Sequence, residues 1–234
     1  GSSTDVTMPQ LLVTTLLIIF MTLIIALPLG IAAAIYLNEY SKKGSKLVKV
    51  IRLFIDTLAG IPSIVFGLFR NIFFVAICGG RYSIIAGSLT MVLIVLPTIV
   101  RSTEASLREV AESMREGSLA LGASKVRTIF KIVLPSALSG IVTSIILSIG
   151  RIVGESAALI YTAGAVIGMP DGYGSSGMTF AVAMYKLTQT GRAGDMEKAY
   201  AIAVVLLVIV VALNLLVTFL EKRIKRKTLG TTGT

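Results

Sequence analysis

The sequence predicts an all-α, polytopic membrane protein, and three observations carry that prediction. Of 234 residues, 55% are hydrophobic and only 15% charged, against roughly 45–50% and 25% in soluble domains. Five apolar stretches approach or exceed the length needed to cross a ~30 Å hydrocarbon layer, about 20 helical residues. The basic residues cluster in alternate connections between those stretches, the signature of an oriented membrane chain. A mean hydropathy of +0.89 leaves too much apolar surface for one water-soluble core.

The first stretch, Leu11 to Leu37, carries no charge, and Pro28 and Gly30 predict a kink in its second half. The second, Thr57 to Cys78, is interrupted by Arg70 and Asn71. The third, Ile84 to Val100, is short and holds Pro97 near its end. The fourth begins near Ser136 and stays apolar to about Val166, except for Arg151 and Glu155. The fifth, Ala199 to Leu220, has Asn214 as its only strongly polar residue.

Segments Asn38–Asp56, Arg101–Pro135 and Glu221–Lys227 hold 5, 6 and 5 basic residues, 16 of the 22 in the chain. The connections between them hold only Arg81, Lys186, Arg192 and Lys198. The positive-inside rule therefore puts the three rich segments in the cytoplasm, with the N-terminus outside and the C-terminus inside. The net charge of +10 becomes a matter of orientation and lipid headgroup contact, and no nucleic-acid partner is expected. With no His and one Cys, Cys78, a His general base, an imidazole or Cys-rich metal site and an intrachain disulfide are excluded.

Residues 11–227 are expected to form one transmembrane domain. Residues 1–10 read as an extracytoplasmic segment or an appended or processed end, since the chain opens Gly1-Ser2-Ser3-Thr4-Asp5 without Met. That opening and the external N-terminus lead to the expectation of a further span upstream. The Gly/Thr-rich tail, 228–234, is expected to be disordered.

Between the third and fourth stretches, Arg101 to Pro135 is too long for a plain turn. Helix formers run from about Thr103 to Leu121, Gly122 is placed to end that helix, and Ser124 to cap the next. Val126, Ile129, Phe130, Val133 and Leu134 then recur at helical spacing and predict one apolar face. The result is a cytoplasmic helix–turn–helix suited either to a partner or to packing on lipid or on the spans.

Glu116-Gly117-Ser118-Leu119-Ala120-Leu121-Gly122, followed after nine residues by Ile132-Val133-Leu134-Pro135, resembles the EAA loop of ABC-importer permeases. Gly117 and Ser118 replace the two alanines of that pattern, and both are small. The resemblance implies a type I importer permease fold of about five transmembrane helices with a cytoplasmic coupling helix. It also implies that Glu116, Gly117, Ser118, Gly122, Ala123, Ile132, Leu134 and Pro135 couple the spans to a separate ATPase. The runs 30–40, 58–69, 115–123 and 150–157 resemble the phosphate-specific permeases, the A-type of that pair more than the C-type. Arg70 and Asn71 depart from the family pattern, and family members of this type have an additional N-terminal span.

Arg151 and Glu155 are the two ionisable residues deep in the fourth stretch. On one straight helix they would share a face about 6 Å apart along the axis. They are either a self-neutralised structural pair or an anion-path arginine with its electrostatic tuner. Guanidinium offers an oxyanion a planar, bidentate fork, and Ser148, Ser156 and Thr162 are candidate hydroxyl donors. Gly150 and Gly154 share the small-xxx-small spacing of close helix contacts. The loop Gly168–Gly177 with a short helix at Met178–Leu187 is expected outside, as a connector or a seat for a binding protein.

No G-x-x-x-x-G-K-[ST] run occurs, so no ATP site, catalytic site or cofactor is expected in this chain. The expected function is the permease subunit of an ATP-driven phosphate importer in the cytoplasmic membrane. Its expected partners are a homologous permease, two copies of a cytoplasmic ATPase carrying ATP and Mg, and an extracytoplasmic phosphate-binding protein. The alternatives are a permease for another oxyanion such as molybdate or sulfate, a secondary transporter or channel, and a structural anchor.

Overall fold

The structure, a computed structural model, describes residues 6–41, 45–70, 73 and 81–228. Asn71, Cys78 and the tail beyond Thr228 lie outside the described residues. Eleven α-helices are found among the described residues: α1 Met8–Ile35, α2 Lys46–Gly60, α3 Ser63–Arg70, α4 Ile84–Glu109, α5 Glu112–Ala120, α6 Lys125–Thr128, α7 Leu134–Ser136, α8 Leu138–Gly154, α9 Ala157–Ile160, α10 Phe180–Gln189 and α11 Ala193–Thr228. π-helical turns extend α1 over Tyr36–Tyr40 and join α6 to α7 over Ile129–Val133.

Among the described residues three helices are long and apolar enough to cross a membrane, and up to five crossings result if two bent pairs each count as one. α1 starts at Met8, inside the segment expected to be an extension, and runs unbroken through Pro28. Its packing is that of a lipid-embedded helix. The line Thr14, Ile18, Thr22, Ala26, Gly30 and Ala34 is buried, while Leu16, Phe20, Ile24 and Leu29 are exposed. Lipid gives two apolar helices no hydrophobic reason to associate, so contacts rely on small and hydroxyl residues that let backbones approach. α1 and α4 make the most extensive contact in the fold. A Cβ on Gly30 would lie 2.5 Å from Ile99 Cγ2, so only glycine permits that approach.

The second stretch is not one straight span. α2 and α3 meet at 103°, because Gly60-Ile61-Pro62 leaves the helix and proline supplies no N–H to continue it. α2 lies along the end of α4, held by the ion pairs Arg52–Glu104 and Arg101–Asp56. α4 extends past Val100 to Glu109.

The fourth stretch also differs from expectation. The run Lys125–Ser136, from α6 through α7, meets α8 at 64°, and α8 ends at Gly154, with Glu155 extended at φ −80°, ψ 120°. The residues beyond, including Ala158, Leu159, Thr162 and Ala163, are buried, and the segment continues to the start of α4, where the Thr162 carbonyl accepts from the Ser83 amide at 3.1 Å. Irregular backbone at membrane depth is tolerated where protein covers it.

α10 is buried at its start and exposed at its end, where Tyr185, Lys186, Thr188 and Gln189 face outward. Phe180 to Ala183 are buried, and the Phe180 amide donates to Thr15 Oγ1 at 3.2 Å. The loop before α10 seals the start of α4: Ile84 and Ile85 amides donate to the Ser175 and Tyr173 carbonyls at 2.9 and 3.1 Å. These are amides that a helix start leaves without internal partners. α11 is 36 residues long, about 54 Å at 1.5 Å per residue, well beyond a bilayer core.

Candidate functional site

Segments 38–56 and 101–135 meet at one end of the bundle, joined by ion pairs among Glu39, Arg52, Asp56, Arg101, Glu104 and Arg115. At this basic end the expected helix Thr103–Leu121 is broken. Val110 and Ala111 are extended, so α4 stops at Glu109 and α5 turns away. The break leaves carbonyls of the last turn of α4 without helical partners. Arg115 folds back to donate to the Leu107 and Val110 carbonyls, both at 2.6 Å.

The turn after α5 forms as expected. Gly122 has φ +81°, and its amide donates to the Leu119 carbonyl at 2.9 Å while the Ala123 amide donates to that of Ser118 at 3.2 Å. That pair of bonds is a Schellman cap, which needs the left-handed conformation glycine adopts without strain. Ser124 Oγ then accepts from the Arg127 amide at 3.3 Å, and Ser118 Oγ bonds Thr128 Oγ1 at 2.9 Å, fixing α5 against α6.

The apolar face expected over 126–134 splits in two. Ile129 and Val133 are buried, and Leu134 and Ile132 are half-buried, whereas Val126 and Phe130 are exposed. The π-helical turn over Ile129–Val133 changes the residue period, so the five positions no longer share one stripe. Val126 and Phe130, with Met114, Leu119 and Leu121, leave an exposed apolar set around the hairpin, Leu121 being 91% exposed. Glu116, Gly117 and Gly122 are exposed beside it, Ala123 and Pro135 half-buried, and Ser118 is buried as an internal support.

Arg151 and Glu155 do not pair. α8 ends between them; Arg151 is exposed in its last turn, and Glu155 Oε1 accepts from the Ala158 amide at 3.1 Å, starting α9. No ion pair joins them among the described residues. Arg151 lies on an exposed stripe with Thr143, Leu147, Gly150 and Gly154, while Ser144, Ser148, Ile149 and Ile152 face the core. A Cβ on Gly150 or Gly154 would meet nothing within 4 Å, so nothing among the described residues packs against that face at these two positions. Ser148 and Thr162 donate to the Ser144 and Ala158 carbonyls of their own segments and are buried, which removes them as donors to a solute. Ser156 is half-buried beside Glu155. The side chain of Arg70 and all of Asn71 lie outside the described residues.

The family model for binding-protein-dependent transport system inner membrane components matches residues 26–226. The chain belongs to that family. It is a multi-pass membrane subunit of the permease kind, and the matched region spans both the hairpin and the exposed stripe of α8. The probable ABC transporter permease protein YqgI of Bacillus subtilis is 42% identical over 147 residues, 63% of this chain and 50% of that protein. The phosphate transport system permease protein PstA 1 of Mycobacterium tuberculosis H37Rv is 36% identical over 208 residues, 87% of this chain and 67% of that protein. The chain thus spans about half to two thirds of the length of such curated relatives.

Among solved structures, the inward-facing MetNI methionine ABC transporter superposes with TM-score 0.65 at 23% identity, covering 94% of this chain and 93% of that one. A bacterial ABC transporter importing the acidic polysaccharide alginate gives 0.68 at 15% identity, covering 95% and 80%. At such identities the likeness establishes the fold: family members of this architecture share the type I importer permease arrangement of helices.

Proposed function

We propose that this chain is the A-type permease subunit of an ATP-driven importer of inorganic phosphate. In this reading it carries no catalytic site or cofactor of its own. ATP and Mg are bound by two copies of a cytoplasmic ATPase, a homologous permease completes the pore, and an extracytoplasmic binding protein delivers phosphate. The basic end faces the cytoplasm, which puts the C-terminal end of α11 inside and the start of α1 outside. Support comes from the alternation of basic segments and from relatives that are phosphate transport system permease proteins.

The observation that carries the reading is the placement of Arg151. An arginine in a membrane helix is costly unless it faces protein, water or an anion. Here its guanidinium has no hydrogen-bond or ion partner among the described residues, and it stands on the one face of α8 left uncovered by the fold. A second permease packed across Gly150 and Gly154 would enclose that face, and Arg151 would then offer an oxyanion two parallel N–H donors. Glu155, turned away to start α9, neither neutralises Arg151 nor presents its charge on the same stripe.

At the other end, the exposed apolar set around Leu121 and Phe130 with Glu116 is the surface for the ATPase. Closure of the ATPases pulls the hairpin, and the hairpin is chemically continuous with α4 through Val110–Ala111 and with α8 through Pro135. Rocking of α4 and α8 opens the path past Arg151 alternately to each side.

The test is uptake of radiolabelled phosphate by proteoliposomes holding the full complex, with and without enclosed ATP, and with sulfate or molybdate in competition. Uptake that needs ATP and is competed by neither anion is expected. Uptake without ATP supports a channel or secondary transporter instead, and preferential uptake of molybdate or sulfate supports the other oxyanion reading.

A further inference from the structure

The hairpin α5–α6 touches α1 through bonds that chain connectivity does not supply. Arg115 uses all five of its N–H donors. Nε and Nη2 donate to Glu39 Oε1 at 3.3 and 3.1 Å. Nη1 donates to the Val110 carbonyl and to Glu112 Oε2, at 2.6 and 3.2 Å, and Nη2 also reaches the Leu107 carbonyl. The Arg115 and Glu39 side chains are 11% and 8% exposed. Glu39 is held in turn by Asn38 Nδ2 at 2.8 Å. Past the Gly122 turn, the Lys125 ammonium donates to the Glu39 main-chain carbonyl and lies 5.0 Å from the centre of the Tyr40 ring. The end of α1 is therefore gripped by both arms of the hairpin.

Connectivity joins the hairpin to α4 and α8, not to α1. The apolar cluster of Leu37, Leu107, Val110 and Val133 also bridges these elements, but apolar contacts are non-directional and allow sliding. A guanidinium with five engaged donors does not, because its planar fork cannot turn without giving up several bonds at once.

We infer that Glu39 and Arg115 are positioning residues that fasten the α5–α6 hairpin to the first span, so that motion imposed on the hairpin reaches α1 as well as α4 and α8. This inference rests on the reading of the hairpin as the ATPase surface.

The experiment uses the full complex in proteoliposomes, with the native Cys78 replaced by serine. One reporter cysteine is placed at Met8, at the far end of α1, and in a second preparation at Ala105 on α4. The rate of maleimide labelling is compared with and without ATP and vanadate, and co-purified ATPase reports assembly. In the otherwise unaltered complex, nucleotide is expected to change labelling at both reporters by about fivefold. Glu39→Gln and Arg115→Gln should reduce the change at Met8 to within about twofold while leaving that at Ala105, and the double variant should match either single one. Arg115→Lys, which keeps the charge, should respond between the two. The inference is overturned if Met8 still responds fully in the variants, if both reporters fall silent together, or if the variants no longer assemble, which would make the pair a folding element. Should neither reporter respond in the unaltered complex, the ATPase-surface reading fails and the fastening role with it. Should both behave as expected while no phosphate accumulates, only the substrate assignment fails.

Discussion

Replacing Gly122 isolates the backbone conformation at the turn of the hairpin. At φ +81° an L-residue pays for contact between its Cβ and the following carbonyl, about 1–2 kcal/mol. Sterics from elsewhere are absent, because a Cβ at Gly122 meets nothing within 4 Å. The cost is therefore that of the left-handed conformation alone. For Gly122→Ala it amounts to about 1 kcal/mol, or roughly a fivefold fall in the ratio of hairpins that keep the Schellman turn to those that lose it. Gly122→Val should cost more, since β-branched residues fit that region least. Gly122→Asn should be nearly silent, because asparagine visits it readily. The assay is the affinity of the detergent-purified permease for its ATPase, read by titration, beside a thermal melt of the permease alone. The affinity should fall in the order Gly, Asn, Ala, Val, and the melting temperature should hold, since Gly122 is exposed and outside the core. Equal loss for Asn and Val, or no loss for Val, would refute a role for the turn conformation.

Gly30→Val should destabilise the α1–α4 contact by about 1–3 kcal/mol through overpacking, because the added Cβ falls 2.5 Å from Ile99. Gly60→Ala, where a Cβ meets nothing within 4 Å, is the control and should leave the melt unchanged. Glu104→Ala removes the carboxylate shared by Arg52 and Arg108. The carboxylate is 9% exposed, but the arginines, 39% and 56% exposed, recover water, so a loss of about 1–2 kcal/mol is expected rather than the larger cost of a fully buried pair. Asp56→Ala breaks the pair with Arg101, in which both side chains are more than half exposed, and should change the melt by less than about 1 kcal/mol, less still in high salt.

The long helices are legible because membrane helices advertise themselves: α1 and the Ala199–Leu220 stretch of α11 are uncharged runs with large apolar side chains exposed. The bends were not. Pro62 is visible in the sequence, yet hydropathy alone runs smoothly from Thr57 onward and hides the 103° break between α2 and α3. Likewise the composition from Ala157 to Val166 is as apolar as that of α8, although the helix has ended, because Ala158, Leu159 and Ala163 are buried in protein. At the hairpin, Gly122 and Ser124 declared themselves through local turn and cap chemistry. The partner of Arg115 did not, since Glu39 lies 76 residues away and no local rule links them. Arg151 stands out in the sequence because it and Glu155 are the two charges in an apolar run. Its supposed pairing with Glu155 failed because a helix face exists only while the helix continues, and α8 stops at Gly154.

The central claim is that phosphate passes the exposed face of α8 at Arg151, and ATP-dependent phosphate uptake by complexes carrying Arg151→Ala and Arg151→Lys tests it most directly. With the ATPase co-purifying in normal amounts, uptake should vanish in Arg151→Ala, and Arg151→Lys, which keeps the charge but lacks the bidentate fork, should retain a fraction of it. Unchanged uptake in an assembled Arg151→Ala complex would contradict the account.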